Sequence, residues 1–218
     1  MSLLFQDRRE AGRELAAKLT SYARDPSVLV LGLPRGGVPV AYEVARALHA
    51  PLDVFVVRKL GVPGHRELAM GAIASGGVRV LNPDVIDGLR IPPAAVEAVA
   101  AKELVELERQ QRAYRSDAPF ADMAGRTVIV VDDGLATGST MRAAVRALRL
   151  SGPKRIVIAV PVAARDTADS LRDEADVVCL TMPAEFHAVS NWYEDFSQTS
   201  DEEVRSLLAS RSHVASSL

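Results

Sequence analysis

Residues 128 to 140 read Val-Ile-Val-Val-Asp-Asp-Gly-Leu-Ala-Thr-Gly-Ser-Thr. They combine three chemical capacities in one short stretch. Val128 to Val131 are four aliphatic residues, enough for a buried strand. Two carboxylates, Asp132 and Asp133, follow at its carboxyl end, the edge of an open α/β sheet where ligands bind. Gly134 to Ser139 then turn into a helix whose free N–H groups and dipole favour a phosphate. Thr137, Ser139 and Thr140 add hydroxyl donors. Carboxylates do not bind phosphate, but they accept hydrogen bonds from sugar hydroxyls. The sequence therefore suits a sugar phosphate, with its diol at the acids and its phosphate at the turn. Two blander readings each explain half of the segment: an acidic pair that holds a metal or accepts a phosphoryl group, and a Gly/Thr turn selected for geometry alone.

Other candidates lie upstream. Leu33-Pro34-Arg35-Gly36-Gly37 follows an apolar run, and its glycines permit close backbone approach to a ligand. The same residues suit a plain strand-to-helix turn. Arg35 offers a fork of donors for phosphate oxygens. Arg58-Lys59 is either a solvated pair of charges or a cation pair aimed at an anion. His65, Arg66 and Glu67 sit in the Gly/Pro-containing stretch 60–69 and are either solvated loop residues or groups that could touch a substrate. Near the end, Phe186, Val189, Trp192 and Tyr193 supply surfaces for stacking on a planar group or for packing on the core. His187 and His213 have no evident partner in the sequence.

The elements that position these residues alternate in type, as in an α/β fold with a mostly parallel sheet. Helical spacing covers 7–24, 38–49, 93–114 and 139–150, with shorter helices at 166–174, capped by Asp166, and 201–209. Buried strands are expected at 28–33, 52–57 (ending at Arg58-Lys59), 127–131, 156–160 and 177–180. The stretch 60–82 carries Gly61, Pro63, Gly64, Gly71, Gly76 and Gly77. It reads as a mobile loop leading into a short hairpin of 70–74 with 78–81. After Pro183 the composition shifts to aromatics without a clear period.

Composition narrows the classes. The 218 residues are 48% apolar and 25% charged, with net charge -2. That fits one soluble, cytoplasmic domain and gives no basic field to attract nucleic acid. No apolar stretch reaches membrane-spanning length, and the N-terminus does not resemble a signal peptide. The single cysteine, Cys179, reads as a strand residue with no second thiol for a disulfide or zinc cluster.

The thirteen residues 128–140 resemble the phosphoribosyl-pyrophosphate motif of type I phosphoribosyltransferases. The element order resembles that family from about residue 7 to 182. The resemblance implies a mostly parallel open sheet flanked by helices, a core of residues 1–182 with a mobile loop at about 60–69, and a hood with a C-terminal helix in 183–218. It implies that Asp132 and Asp133 bind the ribose 2′ and 3′ hydroxyls, and that Ala136, Thr137, Gly138, Ser139 and Thr140 hold the 5′-phosphate. Arg35, Gly36 and Gly37 would form the pyrophosphate loop, with a non-proline cis peptide expected at Arg35-Gly36. Arg58 and Lys59 would act with Arg35 on the departing pyrophosphate. Phe186, Val189, Trp192 and Tyr193 would form the acceptor hood. Gly134 departs from the family, which more often has an aliphatic residue there.

The implied reaction is transfer of a phosphoribosyl group from phosphoribosyl pyrophosphate to a small-molecule nitrogen acceptor, most simply a nucleobase. Mg²⁺ would be held mainly by donor oxygens and water rather than by protein ligands. A homodimer is implied by the resemblance alone. Two alternatives stand beside it: a regulator that binds the donor or a nucleotide without transfer, and one module of a longer multidomain protein.

Overall fold

The computed structural model describes residues 4–115 and 120–212, apart from the side chains of residues 66, 67, 115, 211 and 212. The chain opens with helix α1 (Arg8–Lys18), capped by Asp7, whose carboxylate accepts from the Glu10 N–H. The helix expected to reach residue 24 stops at Lys18, and a 3₁₀ turn at Thr20–Tyr22 follows. Thr20 and Ser21 are poor helix continuers because their hydroxyls compete for backbone groups.

Strands β1 (Val28–Gly32), β2 (Leu52–Val54), β6 (Thr127–Val131), β7 (Arg155–Val162) and β8 (Asp176–Thr181) form a parallel sheet in the order β2-β1-β6-β7-β8. Both faces are covered, which explains the unbroken apolar runs. Alternate residues point to opposite faces. Val28, Val30, Ile129, Val131 and Val157 pack under α1 and α2 (Gly37–Leu48). Leu29, Leu31, Val128, Val130 and Ile158 pack under α5 (Ser139–Leu150) and α6 (Arg165–Leu171). Asp166 does not cap α6. Ala164 occupies that position because the helix begins one residue earlier, which leaves Asp166 in the first turn.

The strand expected over 52–57 is two strands in two sheets. β2 ends at Val54, and β3 (Val57–Val62) belongs to a separate antiparallel sheet with β4 (His65–Ala74) and β5 (Val78–Leu81). The crossing falls at Phe55 and Val56. The Phe55 N–H donates to the Gly32 carbonyl, and Val56 exchanges bonds with Ser75. Arg58 and Lys59 therefore lie inside β3, not at the end of a core strand. The stretch 60–69, expected as a loop, is the paired β3–β4 hairpin, reversing at Pro63-Gly64 with Gly64 at φ +82°. Leu60 and Val62 supply its buried side, against Val96 and Leu107 of α4 (Pro93–Arg115) and Val204 of α7 (Asp201–Ser212). The hairpin expected from 70 to 81 is the β4–β5 pair, in register Gly71↔Leu81 to Ala74↔Val78. A short helix, α3 (Pro83–Gly88), links β5 to α4.

Candidate active site

The turn after β6 is built by three elements. Leu135 ties it to β7: its N–H donates to the Val162 carbonyl, and its own carbonyl accepts from Ala164. Thr167 of α6 donates its hydroxyl to the Ala136 carbonyl at 2.6 Å. Gly138 then starts α5 at φ +67°, a left-handed conformation that side-chain-bearing residues seldom adopt. A Cβ at Gly138 would stand 2.5 Å from the Thr167 methyl. Ser139 and Thr140 open the helix, so their N–H groups have no intrahelical partner. The Thr137 hydroxyl lies 3.3 Å from Ser139 Oγ. Backbone donors, hydroxyls and the positive end of α5 thus meet at one place.

Asp132 and Asp133 stand at the strand end. The Asp133 N–H donates to Asp132 Oδ1 at 2.9 Å. Burial raises Asp132 well above the ordinary carboxyl range, and the neighbouring Asp133 charge adds to it. Burial raises Asp133 too, opposed by Arg8. The Arg8 Nε donates to Asp133 Oδ2 at 2.8 Å, and another guanidinium nitrogen donates to the Ser197 carbonyl at 2.7 Å. Arg8 was not singled out in the sequence. It is one of 26 basic residues, and nothing local marks it, because its partners are 125 and 189 positions away.

The loop at 34–37 lies against the acids. Its cis peptide is Pro34-Arg35, not Arg35-Gly36, and Gly36 caps α2 with helical torsions. A Cβ at Gly36 would meet Asp133 Oδ2 at 1.9 Å, and one at Gly37 would meet the Val131 carbonyl at 2.6 Å. These glycines therefore make room for the acidic pair and the end of β6. The Arg35 guanidinium turns to α7, 3.7 Å from Asp201. Asp201 also accepts from the Tyr114 hydroxyl, whose pKa is pushed up to about 12 by burial.

Strand alternation sends Arg58 and Lys59 to opposite sides of β3. Arg58 donates twice to Glu103 of α4, at 2.9 and 2.7 Å. Lys59 reaches the phosphate-type turn, 3.2 Å from Ser139 Oγ. Arg58, Lys59, Lys102, Glu103 and Thr140 border a cleft of about 710 Å³ between the hairpin, α4 and α5. A smaller hollow of about 250 Å³ lies between α5 and the hairpin, beside Lys59, Thr137 and Ser139. Asp132 and Asp133 do not line either hollow; they sit beside α1. His65 is exposed. The side chains of Arg66 and Glu67, and all of His213, lie outside the described residues.

The hood residues divide. Tyr193 is buried, pairs with the Phe5 and Phe196 rings at 5.5 and 5.0 Å, and donates its hydroxyl to the Asp133 carbonyl at 2.6 Å. Burial first, then the Asp133 charge, raises its pKa. Its ring is engaged in packing beneath the motif. Val189 packs into the space left by Gly134, where a Cβ would stand 2.6 Å from its methyl. The hood valine thus occupies the volume an aliphatic residue at 134 would fill. Phe186 and Trp192 are half-buried and His187 is exposed. Phe5 fastens this segment by exchanging backbone bonds with Trp192 and Glu194. Cys179 packs in β8 with its thiol pushed up to about 11 by burial, and its S–H donates to the Thr181 carbonyl.

A parallel sheet covered on both faces, with an acidic pair and a phosphate-type turn at one strand end, is the arrangement of the type I phosphoribosyltransferases. The phosphoribosyl transferase domain model matches residues 5–195, and the chain belongs to that family. A Mycobacterium tuberculosis H37Rv protein, named provisionally as a phosphoribosyl transferase, is 50% identical over 206 residues, covering 94% of this chain and 46% of the relative. The chain thus spans about half the length of that relative. The bifunctional protein PyrR of Chloroflexus aurantiacus is 34% identical over 130 residues, 58% of this chain and 65% of PyrR. Among solved structures, TT1426 of Thermus thermophilus superposes with a TM-score of 0.83 at 43% identity, covering 95% of this chain and 98% of that one. Among the described residues no helix is long and apolar enough to cross a membrane.

Proposed function

We propose that this chain transfers a phosphoribosyl group from phosphoribosyl pyrophosphate to a nitrogen of a small planar acceptor, most simply a nucleobase, and releases pyrophosphate. The observation that carries this reading is the succession of acidic pair, tight turn and helix N-terminus over residues 132–140, with Gly138 held at φ +67°. The ribose 5-phosphate moiety would lie with its diol at the acids and its phosphate on the turn, held by the backbone of 136–140 and the hydroxyls of Thr137, Ser139 and Thr140. As the bond to pyrophosphate breaks, negative charge grows on the leaving group. Cations fixed beside it then stabilise the transition state more than the ground state. Lys59, Arg58 and Arg35 would supply this field.

Mg²⁺ fits the residues present in one mode only. Among the described residues no group of three or more acidic, histidine or cysteine side chains converges on one point, and Asp133 is engaged by Arg8. Donor oxygens and water would therefore make most of the metal's contacts, which suits magnesium's slow dehydration. When bound, the metal would neutralise pyrophosphate charge.

A second reading, a regulator that binds donor or nucleotide without transfer, draws on one observation. Arg58 is paired with Glu103 and Arg35 faces Asp201, so both cations have intramolecular acids. The discriminating experiment is pyrophosphate release from phosphoribosyl pyrophosphate with Mg²⁺ and each common base in turn. The transferase reading predicts turnover with at least one base. Silence across the panel with donor binding intact would favour the regulator.

A further inference from the structure

The two arginines proposed for the departing pyrophosphate are held differently. Arg35 brings one guanidinium nitrogen to 3.7 Å from Asp201, beyond hydrogen-bond reach, and Asp201 Oδ1 already accepts from the Tyr114 hydroxyl at 3.0 Å. Arg58 is gripped: its Nε and Nη2 both donate to Glu103 Oε2, at 2.9 and 2.7 Å. The packing of α4 on β3 delivers that acid. Arg58, Leu60 and Val62 share one side of β3, and Leu60 and Val62 pack in one buried core with Val96, Ala100 and Leu107 of α4. Glu103 lies three residues after Ala100 and four before Leu107, on the same helix face. Glu106, one turn along, is taken by Arg109, which donates to it at 2.9 and 2.7 Å. Glu103 is thus the acid given over to Arg58.

A guanidinium carries its N–H donors in a planar, rigid fork. Glu103 engages one edge of the Arg58 fork, and among the described residues no other group accepts from its terminal edge, Nη1 with Nη2. Arg58 and Glu103 stay 33% and 20% exposed and border the cleft of about 710 Å³ together with Lys59, Lys102 and Thr140. Arg58, Lys59 and Lys102 against Glu103 leave the charged lining net positive, so the acid does not close the cleft to an anion. We infer that Glu103 is a positioning residue: it holds one edge of the Arg58 fork so that the terminal edge stays aimed at the pyrophosphate half of the donor. This rests on the reading of the cleft as the leaving-group site. Because the fork is rigid, fixing one edge fixes the direction of the other. An arginine left free must be ordered by its ligand, and the rotamer freedom lost at that moment weakens binding by roughly 10- to 30-fold. With Glu103 in place, that freedom is lost on folding instead. Arg35 has no such anchor, and its aim is left to the ligand.

The test titrates two ligands into the full chain by calorimetry: phosphoribosyl pyrophosphate with Mg²⁺, and ribose 5-phosphate, which lacks the pyrophosphate. The proteins are wild type, Glu103→Ala, Glu103→Gln, Arg58→Ala and the Arg58→Ala/Glu103→Ala double variant, each shown to melt cooperatively. Alanine at 103 suits the helix interior. Glu103→Ala should weaken the donor roughly tenfold and leave ribose 5-phosphate unchanged. Glu103→Gln keeps one acceptor oxygen in place and should lose less. Once Arg58 is replaced by alanine, removing Glu103 should weaken the donor no further. If Arg58→Ala does not fold, Arg58→Met takes its place. Tighter donor binding in both Glu103 variants would make Glu103 a competing charge and overturn the inference. Equal losses for the two ligands, or losses that multiply in the double variant, would overturn it as well. The reading beneath it fails separately: a wild type that binds neither ligand, or donor affinity indifferent to Arg58→Ala, would sink the leaving-group site whatever the Glu103 variants do.

Discussion

The turn after β6 and the β3–β4 hairpin border the same cleft, but they are made by different means. The turn is assembled within a dozen residues: strand end, acids, a glycine at φ +67° and a helix start. Its backbone ties to Val162 and Thr167 come from the next strand and helix, while its acid Asp133 is also held by Arg8 and Tyr193. The hairpin's cations take their direction from distant acids and hydroxyls: Arg58 from Glu103, 45 positions on, and Lys59 from Ser139, 80 positions on. The turn's phosphate-type geometry is set mainly by its own residues, whereas the direction of the hairpin's cations depends on what the rest of the fold places opposite them.

That contrast predicts where substitutions do most harm. Among substitutions at the glycines, Gly36→Ala should have the larger effect on donor affinity, since its Cβ would fall 1.9 Å from Asp133 Oδ2. Asp133 or the loop must move, and donor affinity should drop at least tenfold in a protein that still melts cooperatively. Affinity within twofold of wild type would show that the loop and the acids are not coupled. Gly138→Val follows. It forces a branched side chain into a left-handed position against Thr167, at a cost of about 1–3 kcal/mol, read as a lower melting temperature together with weaker nucleoside monophosphate binding.

The hairpin variants sharpen the comparison further. Lys59→Ala should weaken nucleoside monophosphate as well as donor, because Lys59 reaches the turn where the 5′-phosphate would sit. Arg58→Ala should leave the monophosphate unchanged and lower turnover, by up to about 10²-fold for a lost leaving-group contact. Equal responses of the two ligands to both variants would erase the distinction between the faces of β3. Glu103→Gln should change stability least, about 0.2–1 kcal/mol for a partly exposed pair.

The acids add a pH dependence. Burial raises Asp132 above its ordinary value, so the folded state holds its proton more tightly than the unfolded chain. This group therefore costs no stability below the unfolded pKa, and the cost grows as pH rises through the raised folded value. Asp132→Asn should melt higher than wild type at neutral pH, and the two should converge in acid. A constant difference at all pH values would contradict the buried-charge account.

These contrasts also explain what was legible in the sequence. The five parallel strands, the β4–β5 hairpin and the 128–140 turn were readable because apolar runs, glycine pairs and strand-end acids are local signals. The break between β2 and β3 was not, because Phe55 and Val56 continue the apolar run while the chain changes sheets. The bonds to Gly32 and Ser75 that mark the crossing are tertiary. The role of Tyr193 was hidden for the same reason: an aromatic in a hood suits stacking until Phe5 and Asp133 are seen to hold it. Arg8 lies in an ordinary amphipathic helix, and only the fold brings it to Asp133. Gly134 reads as a departure from the family until Val189 is found in its place.

The central claim is that residues 132–140 hold ribose 5-phosphate. Its most direct test is calorimetric titration of phosphoribosyl pyrophosphate into wild type and into the Asp132→Asn/Asp133→Asn double variant, both shown to be folded. Neutral amides place donors where the diol needs acceptors, so wild type should bind and the double variant should show no measurable heat of binding. Equal affinity in the two proteins would contradict the assignment.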